Sequence, residues 1–241
     1  VENRIYFRQL LSGRDFATDN PIAQQMVNFV YIIGDRETGE AMLVDPAYEV
    51  HELLEILEAE GLRLTGVLAT HWHPDHVGGD LMGYPIDGIK ELTGMTSVAA
   101  PVHIQKPEVE WITRTTGVSV SDLVAHESGD KVMVGDIPVT LIHTPGHTPG
   151  SQCFLVDGRL VAGDTLFLDG CGRTDLPGAD PDDMYESLTQ RLAIVPDSAV
   201  LYPGHLYSPE SSAKMGDTRQ RNYVFKIPSL EQWRMMMGES F

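Results

Sequence analysis

The sequence predicts an α/β protein. Short apolar or alternating runs, bounded by Gly, Pro, Asn and Asp, recur along the whole chain. Stretches with helical apolar spacing are interleaved with them. The 241 residues are 42% apolar, enough to bury a sizeable core. No Pro/Ser-rich linker, low-complexity run or short-period repeat divides the chain, so residues 1–241 read as one domain.

Residues 5–11, 28–33 and 41–44 read as three strands, with Gly34, Asp35 and Gly39 turning the second into the third. Asp45-Pro46 ends the third. Val50, Leu53, Leu54 and Leu57 then recur at helical spacing, and Gly61 follows as a C-terminal cap. A strand at 66–69 runs straight into Thr70-His71-Trp72-His73. That order puts the histidines at the C-terminal end of a strand, where α/β sheets hold ligands. The stretch from about 77 to 116 reads as mostly helix and loop. Strands return at 131–134, 138–142, 152–156 and 159–162, with Gly158 in the last turn. Asp180 caps a helix that starts at Pro181, and Asp182 and Asp183 in its first turn suit the helix dipole. A strand at 199–202 leads into Pro203-Gly204-His205, and helices near 217–225 and 230–237 close the chain.

Lys and Arg number 17 against 35 Asp and Glu, a formal charge of −18. Such a chain repels phosphate backbones and anionic lipid surfaces, so neither nucleic acid nor membrane is an expected partner. Cys153 and Cys171 make no disulfide framework. With no leader pattern at Val1 and no apolar run approaching a membrane span, the expectation is a cytoplasmic protein.

The chemistry concentrates in His71-Trp72-His73-Pro74-Asp75-His76, three imidazoles and a carboxylate within six residues. Pro74 keeps the segment out of a regular helix interior. Borderline metals such as zinc take these donors. Three later groups also follow strands. His147 lies between Pro145-Gly146 and Thr148-Pro149-Gly150, Asp164 follows Ala162-Gly163, and His205 follows Pro203-Gly204. Backbones fixed by Pro and Gly hold such side chains still.

The series His-x-His-x-Asp-His, then His, Asp and His resembles the metallo-β-lactamase superfamily over about residues 28–210. The resemblance implies an αββα sandwich, two mixed sheets packed face to face with helices outside. Gly163-Asp164-Thr165-Leu166-Phe167 followed by Gly170-Cys171-Gly172-Arg173 is similar to the branch of glyoxalase II (hydroxyacylglutathione hydrolase) and persulfide dioxygenase. It implies two divalent metal ions, zinc first and iron second. One would be held by His71, His73 and His147, the other by Asp75, His76 and His205, with Asp164 bridging them. Asp75 would be both ligand and catalytic proton acceptor. Dications sharing an anionic bridge activate a water between them and polarise a carbonyl, so no Ser or Cys nucleophile is needed. Cys171 then reads as loop packing.

The implied activity is glyoxalase II-like hydrolysis of a small thioester or ester, such as a glutathione or other thiol adduct. The alternatives are an iron persulfide dioxygenase using His71, His147 and Asp164, a lactonase, and a non-catalytic binding module on the same fold. Thr174 and Asp175 depart from glyoxalase II, which carries an aromatic pair there; this leans towards the dioxygenase. Arg173, Tyr207, Arg219 and Arg221 are the candidate substrate contacts, the last two from a basic run at 214–226. Residues 82–116 are expected as a helical insertion over the pocket, and 214–241 as a short helical extension. Trp233 and Met235 to Met237 suggest an apolar edge that finishes the core or joins a homodimer. His143 is expected to support the site from behind, and His51, His103 and His126 to be surface or capping groups.

Overall fold

The computed structural model describes residues 4–95 and 100–238. The ends of the expected 1–241 domain, and residues 96–99 of the 82–116 stretch, lie outside the described residues. The first half holds β1 (Ile5–Leu11), α1 (Pro21–Met26), β2 (Phe29–Asp35), β3 (Glu40–Val44), α2 (Val50–Ala59) and β4 (Arg63–Leu68). It continues with α3 (Pro74–Val77), the hairpin β5 (Gly79–Leu81) and β6 (Tyr84–Ile86), α4 (Ile89–Met95), β7 (Val102–Gln105), α5 (Val109–Thr116) and β8 (Leu123–His126). The second half holds β9 (Lys131–Val134), β10 (Ile137–His143), β11 (Gln152–Val156), β12 (Arg159–Gly163) and the small pair β13 (Leu166–Phe167) and β14 (Gly170–Cys171). Then come α6 (Pro181–Thr189), β15 (Val200–Pro203), β16 (Ala213–Lys214), α7 (Met215–Arg221) and α8 (Leu230–Met237).

Two six-stranded sheets form, in the orders β1-β2-β3-β4-β7-β8 and β16-β15-β12-β11-β10-β9. Both are mixed: β3, β4, β7 and β8 run parallel, as do β12 and β15, and the remaining pairs are antiparallel. Strand alternation assigns the layers. Phe29, Tyr31 and Ile33 of β2 meet Val139, Leu141, Phe154 and Val161 of the other sheet in a central core. Val30 and Ile32 face the opposite way, under Leu53 and Leu57 of α2 and Ile112 of α5. Ile142, Cys153, Leu160 and Leu201 likewise turn outward beneath Met184, Leu188 and Trp233. The result is the expected αββα arrangement. A fully buried β2 explains why its sequence is continuously apolar rather than alternating.

The structure corrects several local expectations. The 77–116 stretch is not only helix and loop, because β7 lies inside it and extends the first sheet beside β4, with β8 at the edge. The helix expected at 217–225 stops at Arg221 and is replaced by a 3-10 turn over Tyr223–Lys226. Asn222 breaks it, accepting from Val224 N through its side chain while its amide donates to Phe167 O and Gly170 O. Of the two outcomes expected for the apolar edge, Trp233 takes the one that finishes the core: it is fully buried and its indole donates to Pro181 O at 2.6 Å, while Met235 and Met236 remain exposed. Trp233→Ala is expected to cost about 3–5 kcal/mol of stability, read as a lower urea midpoint; a loss under about 1 kcal/mol would return Trp233 to the surface. No helix among the described residues is long and apolar enough to cross a membrane.

Candidate metal centre

Every one of the seven expected ligands lies just past the C-terminal end of a strand, at one rim of the sandwich. His71 leaves β4; His73 caps α3, and Asp75 and His76 sit on it. His147 follows β10, Asp164 follows β12, and His205 follows β15. The two sheets are tied together at this rim. Phe29 N donates to Gly204 O at 2.8 Å, and Gln152 Nε2 donates to Ala69 O at 2.8 Å. Glycine is required where the loops close on the site. A Cβ on Gly204 would collide with Asp164 Oδ1, and one on Gly172 with the Asp164 carbonyl and, at 2.9 Å, His147 Nδ1.

Three groups of donor atoms lie within 4.8 Å of one another among the described residues: the triads His71/His73/His147 and Asp75/His76/His205, which share no residue, and Asp45/His71/His76, which draws one histidine from each. His73 Nδ1 faces His147 Nε2 at 3.0 Å, and His76 Nε2 faces His205 Nε2 at 3.2 Å. Asp164 lies between the triads, 3.4 Å from His76 and 3.3 Å from His205, with His147 at 3.7 Å.

The imidazoles are held by hydrogen bonds on their far sides. His147 Nδ1 donates to Arg173 O and His205 Nδ1 to Met26 O, both at 2.8 Å. His76 Nδ1 lies 2.9 Å from Asp45 Oδ2. Thr70 Oγ1 donates to Asp45 Oδ2 at 2.6 Å, so it accepts from His71 Nδ1 at 2.9 Å. Each of these bonds places the proton on Nδ1 and turns the Nε2 lone pair inward, the form that binds a metal. His71 Nε2 and Asp164 Oδ1 are buried without a hydrogen bond. Facing lone pairs, unpartnered buried donor atoms and an imidazole-carboxylate set together fit one or two divalent cations of zinc or iron type.

Burial, with the neighbouring imidazoles, pushes His71 well below its ordinary value and His73 down to about 3. For His76 burial is outweighed by Asp75, Asp164 and Asp45, which raise it to about 10, so Nε2 holds a proton that a bound cation would displace to reach the lone pair. Burial opposes ionisation of Asp164 too, yet His205 and His76 hold it well below the usual carboxylate range.

Several supporting groups had escaped the sequence reading. Asp45, read only as a strand end, adopts φ 52° and reaches Thr70 N at 2.7 Å as well as Thr70 Oγ1 and His76. That left-handed backbone is strain stored beside the site. With both oxygens so engaged, Asp45 orients ligands rather than joining them. Asn28 donates to Asp75 Oδ2 at 3.0 Å and accepts from Tyr48 Oη at 2.8 Å. Glu108 is buried and accepts from Trp72 N, Thr148 Oγ1 and Gly150 N at 2.7–2.8 Å, joining the two histidine-bearing loops.

A cavity of about 640 Å³ opens over the centre, with His73, Asp75, His147, Asp164 and His205 in its lining. Tyr207 lines it and stacks on His205, ring centroids 4.7 Å apart. Arg173 is at the cavity, but its guanidinium is bidentate on Asp175 at 2.8 and 2.9 Å. Cys171 lines it with its thiol pushed up to about 12 by burial, which suits packing rather than nucleophilic attack.

Arg219 and Arg221 do not reach this cavity. Arg219 bonds Asp197 and the carbonyls of Leu192 and Val195, and so staples α7 to the segment after α6. Arg221 lines a separate pocket of about 100 Å³. Arg219→Ala is therefore expected to leave KM for an anionic thioester within about twofold while lowering stability by about 1 kcal/mol; a selective rise in KM would restore it as a substrate contact. His143 reaches Pro149 O at 2.9 Å and so braces the His147 loop. His103 is no surface group: it is largely buried against His126, their ring nitrogens 2.9 Å apart. His51 is exposed beside Glu55.

Residues 24–205 match the profile of the metallo-β-lactamase superfamily. A probable polyketide biosynthesis zinc-dependent hydrolase, BaeB, of Bacillus velezensis is 30% identical over 87% of either chain. The hydroxyacylglutathione hydrolase of Methylobacillus flagellatus is 35% identical over 80% of this chain and 68% of its own. Human mitochondrial persulfide dioxygenase ETHE1 is 29% identical over 87% of this chain and 76% of its own.

Proposed function

Because the chain belongs to the metallo-β-lactamase superfamily, we propose that it is a binuclear metal-dependent hydrolase of small thioesters. The position of Asp164 carries the reading. One oxygen lies 3.4 Å from His76 and the other 3.3 Å from His205 and 3.7 Å from His147, so one anion serves both triads. His71, His73 and His147 would hold one ion, and Asp75, His76 and His205 the other. Bound there, such ions would supply an acidified water and Lewis-acid polarisation of a carbonyl.

The chain's own contribution is to fix donors and move a proton. Asp45, Thr70, Met26 O and Arg173 O aim the imidazoles. Asp75, steadied by Asn28 and lining the cavity, is placed to accept the proton of the attacking water. A thiol with a pKa of about 8.5 leaves as thiolate, which suits a site whose lining thiol and phenol both hold their protons. The test is metal content and turnover together. Protein isolated without added metal should carry about two equivalents of zinc or iron and cleave simple acyl-thioesters; a chelator should abolish this and zinc restore it.

The second reading is one ferrous iron on His71, His147 and Asp164, oxidising a persulfide. It is favoured by the loop at Thr174 and Asp175, which departs from the glyoxalase II pattern and pairs Asp175 with Arg173. About one equivalent of iron, with oxygen uptake on adding glutathione persulfide, would replace the hydrolase reading with this one.

A further inference from the structure

The walls of the cavity differ in character from its floor. Leu81 and Met82, at the turn of the β5–β6 hairpin, share the lining with Phe167, Leu176, Tyr207 and Tyr223. Met82 is 94% exposed and holds φ 54°. A large apolar side chain on left-handed backbone in full solvent is unfavourable where it stands, and gains when something apolar covers it. Thioether side chains adapt to varied apolar ligands, and Met26 lines the same cavity. The volume of about 640 Å³ is that of a small-molecule pocket.

The charges point the same way. Arg173 is the Lys or Arg cation in the lining among the described residues, and its Nε and Nη2 are already shared with Asp175 in an exposed ion pair. Asp80 and Asp169 add carboxylates, whose hydrogen bonds come from the neutral Gly83 N and Ser208 Oγ. Arg219 is committed elsewhere and Arg221 opens into a different pocket. A thiol bearing carboxylates, such as glutathione, would meet the exposed carboxylates of Asp80 and Asp169 as like charges, with Arg173 already shared with Asp175. An alkyl chain would meet no such penalty.

Building on the thioesterase reading, we infer that the substrate joins an apolar acyl group to an uncharged thiol, with the acyl chain covering Leu81 and Met82. In the ester cleavage the C–S bond breaks, water supplies the new C–O bond, and the products are a carboxylate and a thiol, with no oxidant consumed.

The test uses zinc-loaded protein and S-acyl-N-acetylcysteamines from acetyl to octanoyl, with S-lactoylglutathione as the anionic comparison. kcat/KM is expected to rise about two- to fourfold per methylene, the fold-change of burying part or all of each CH₂. Octanoyl should exceed S-lactoylglutathione by about tenfold or more. Met82→Asp, on an exposed turn that tolerates positive φ in Asp, should lower the octanoyl-to-acetyl ratio by about fivefold. Calorimetry with the uncleavable S-octyl-N-acetylcysteamine reads the same wall without turnover; it should bind more tightly than the S-methyl analogue, and less so in Met82→Asp. A flat chain-length profile with S-lactoylglutathione preferred would overturn the apolar substrate and leave the thioesterase standing. Tight octyl binding with no thioester cleaved would overturn the thioesterase and leave the apolar wall. Neither binding nor cleavage would overturn both.

Discussion

Asp164→Ala is expected to lower bound metal from about two equivalents to one or fewer, and kcat/KM for a thioester by roughly 10³-fold, about 4 kcal/mol of transition-state stabilisation. The cause is electrostatic. Two dications repel four times as strongly as two unit charges at the same separation, and a shared anion is what makes the pair tolerable. Asp164 is the carboxylate within 3.7 Å of ligand nitrogens from both triads. Burial disfavours its charge, yet His205 and His76 hold it ionised. Asp164→Asn tests charge apart from shape, because the amide keeps the volume but turns an N–H towards a cation. It should resemble the alanine variant in metal content. Elemental analysis beside kinetics reads both quantities; retention of two equivalents with near-normal turnover would remove Asp164 from the bridge.

The sequence made the candidate ligands legible because each is a chemically distinctive residue near the end of a strand. His71, Asp164 and His205 could be placed from local pattern alone, since an apolar run ending in Gly, Pro and a polar group marks a strand's C-terminal rim. The supporting groups were not legible, because their partners are distant in the chain. Asp45 meets Thr70 and His76 across two neighbouring parallel strands, 25 and 31 residues away. Its only local sign was an acid closing a strand. Arg219 and Arg221 failed in the opposite sense: a basic run invites an anion, but Arg219 answers Asp197 and two main-chain carbonyls 24 and 27 residues back.

Secondary structure was missed where elements are too short to show a period. α1 has six residues, and its sign was the Asn20-Pro21 pair, with Asn20 Oδ1 accepting from Ile22 N and Ala23 N. β7 and β8 have four residues each and carry Gln105, His103 and His126, polar groups that make them look like loop. Pairing explains them. His103 packs on His126 from adjacent parallel strands, and Gln105 donates to Gln152 Oε1 at 3.0 Å on the second sheet. Such contacts satisfy buried polar groups that a local reading assigns to solvent.

Glu108 carries the second large effect, and it acts through the loops that carry the histidines rather than as a candidate ligand itself. Its Oε1 accepts from Trp72 N and Thr148 Oγ1, its Oε2 from Gly150 N. One side chain thus joins the loop of His71 and His73 to the loop of His147. Glu108→Ala leaves the buried Gly150 N–H and the part-buried Trp72 N–H without an acceptor, and the Thr148 hydroxyl with Ser151 Oγ alone, at a cost of about 2–4 kcal/mol. Glu108→Gln fits the space but puts an NH₂ against a main-chain N–H on one side, for about 1–3 kcal/mol. Both should weaken metal binding at the His71/His73/His147 position by about 10- to 100-fold, because that triad depends on the two loops keeping their spacing. Burial pushes Glu108 up to about 7 from an ordinary 4.5. Between those values the folded chain holds a proton that the unfolded chain has released. Its contribution to stability is therefore full below pH 4.5 and is lost as pH rises through 7, about 3 kcal/mol in all. Urea unfolding of the wild type and Glu108→Gln, followed from pH 4 to 8 in chelator, isolates that difference: the wild type should lose stability relative to the variant with rising pH, and parallel profiles would show that Glu108 does not titrate there.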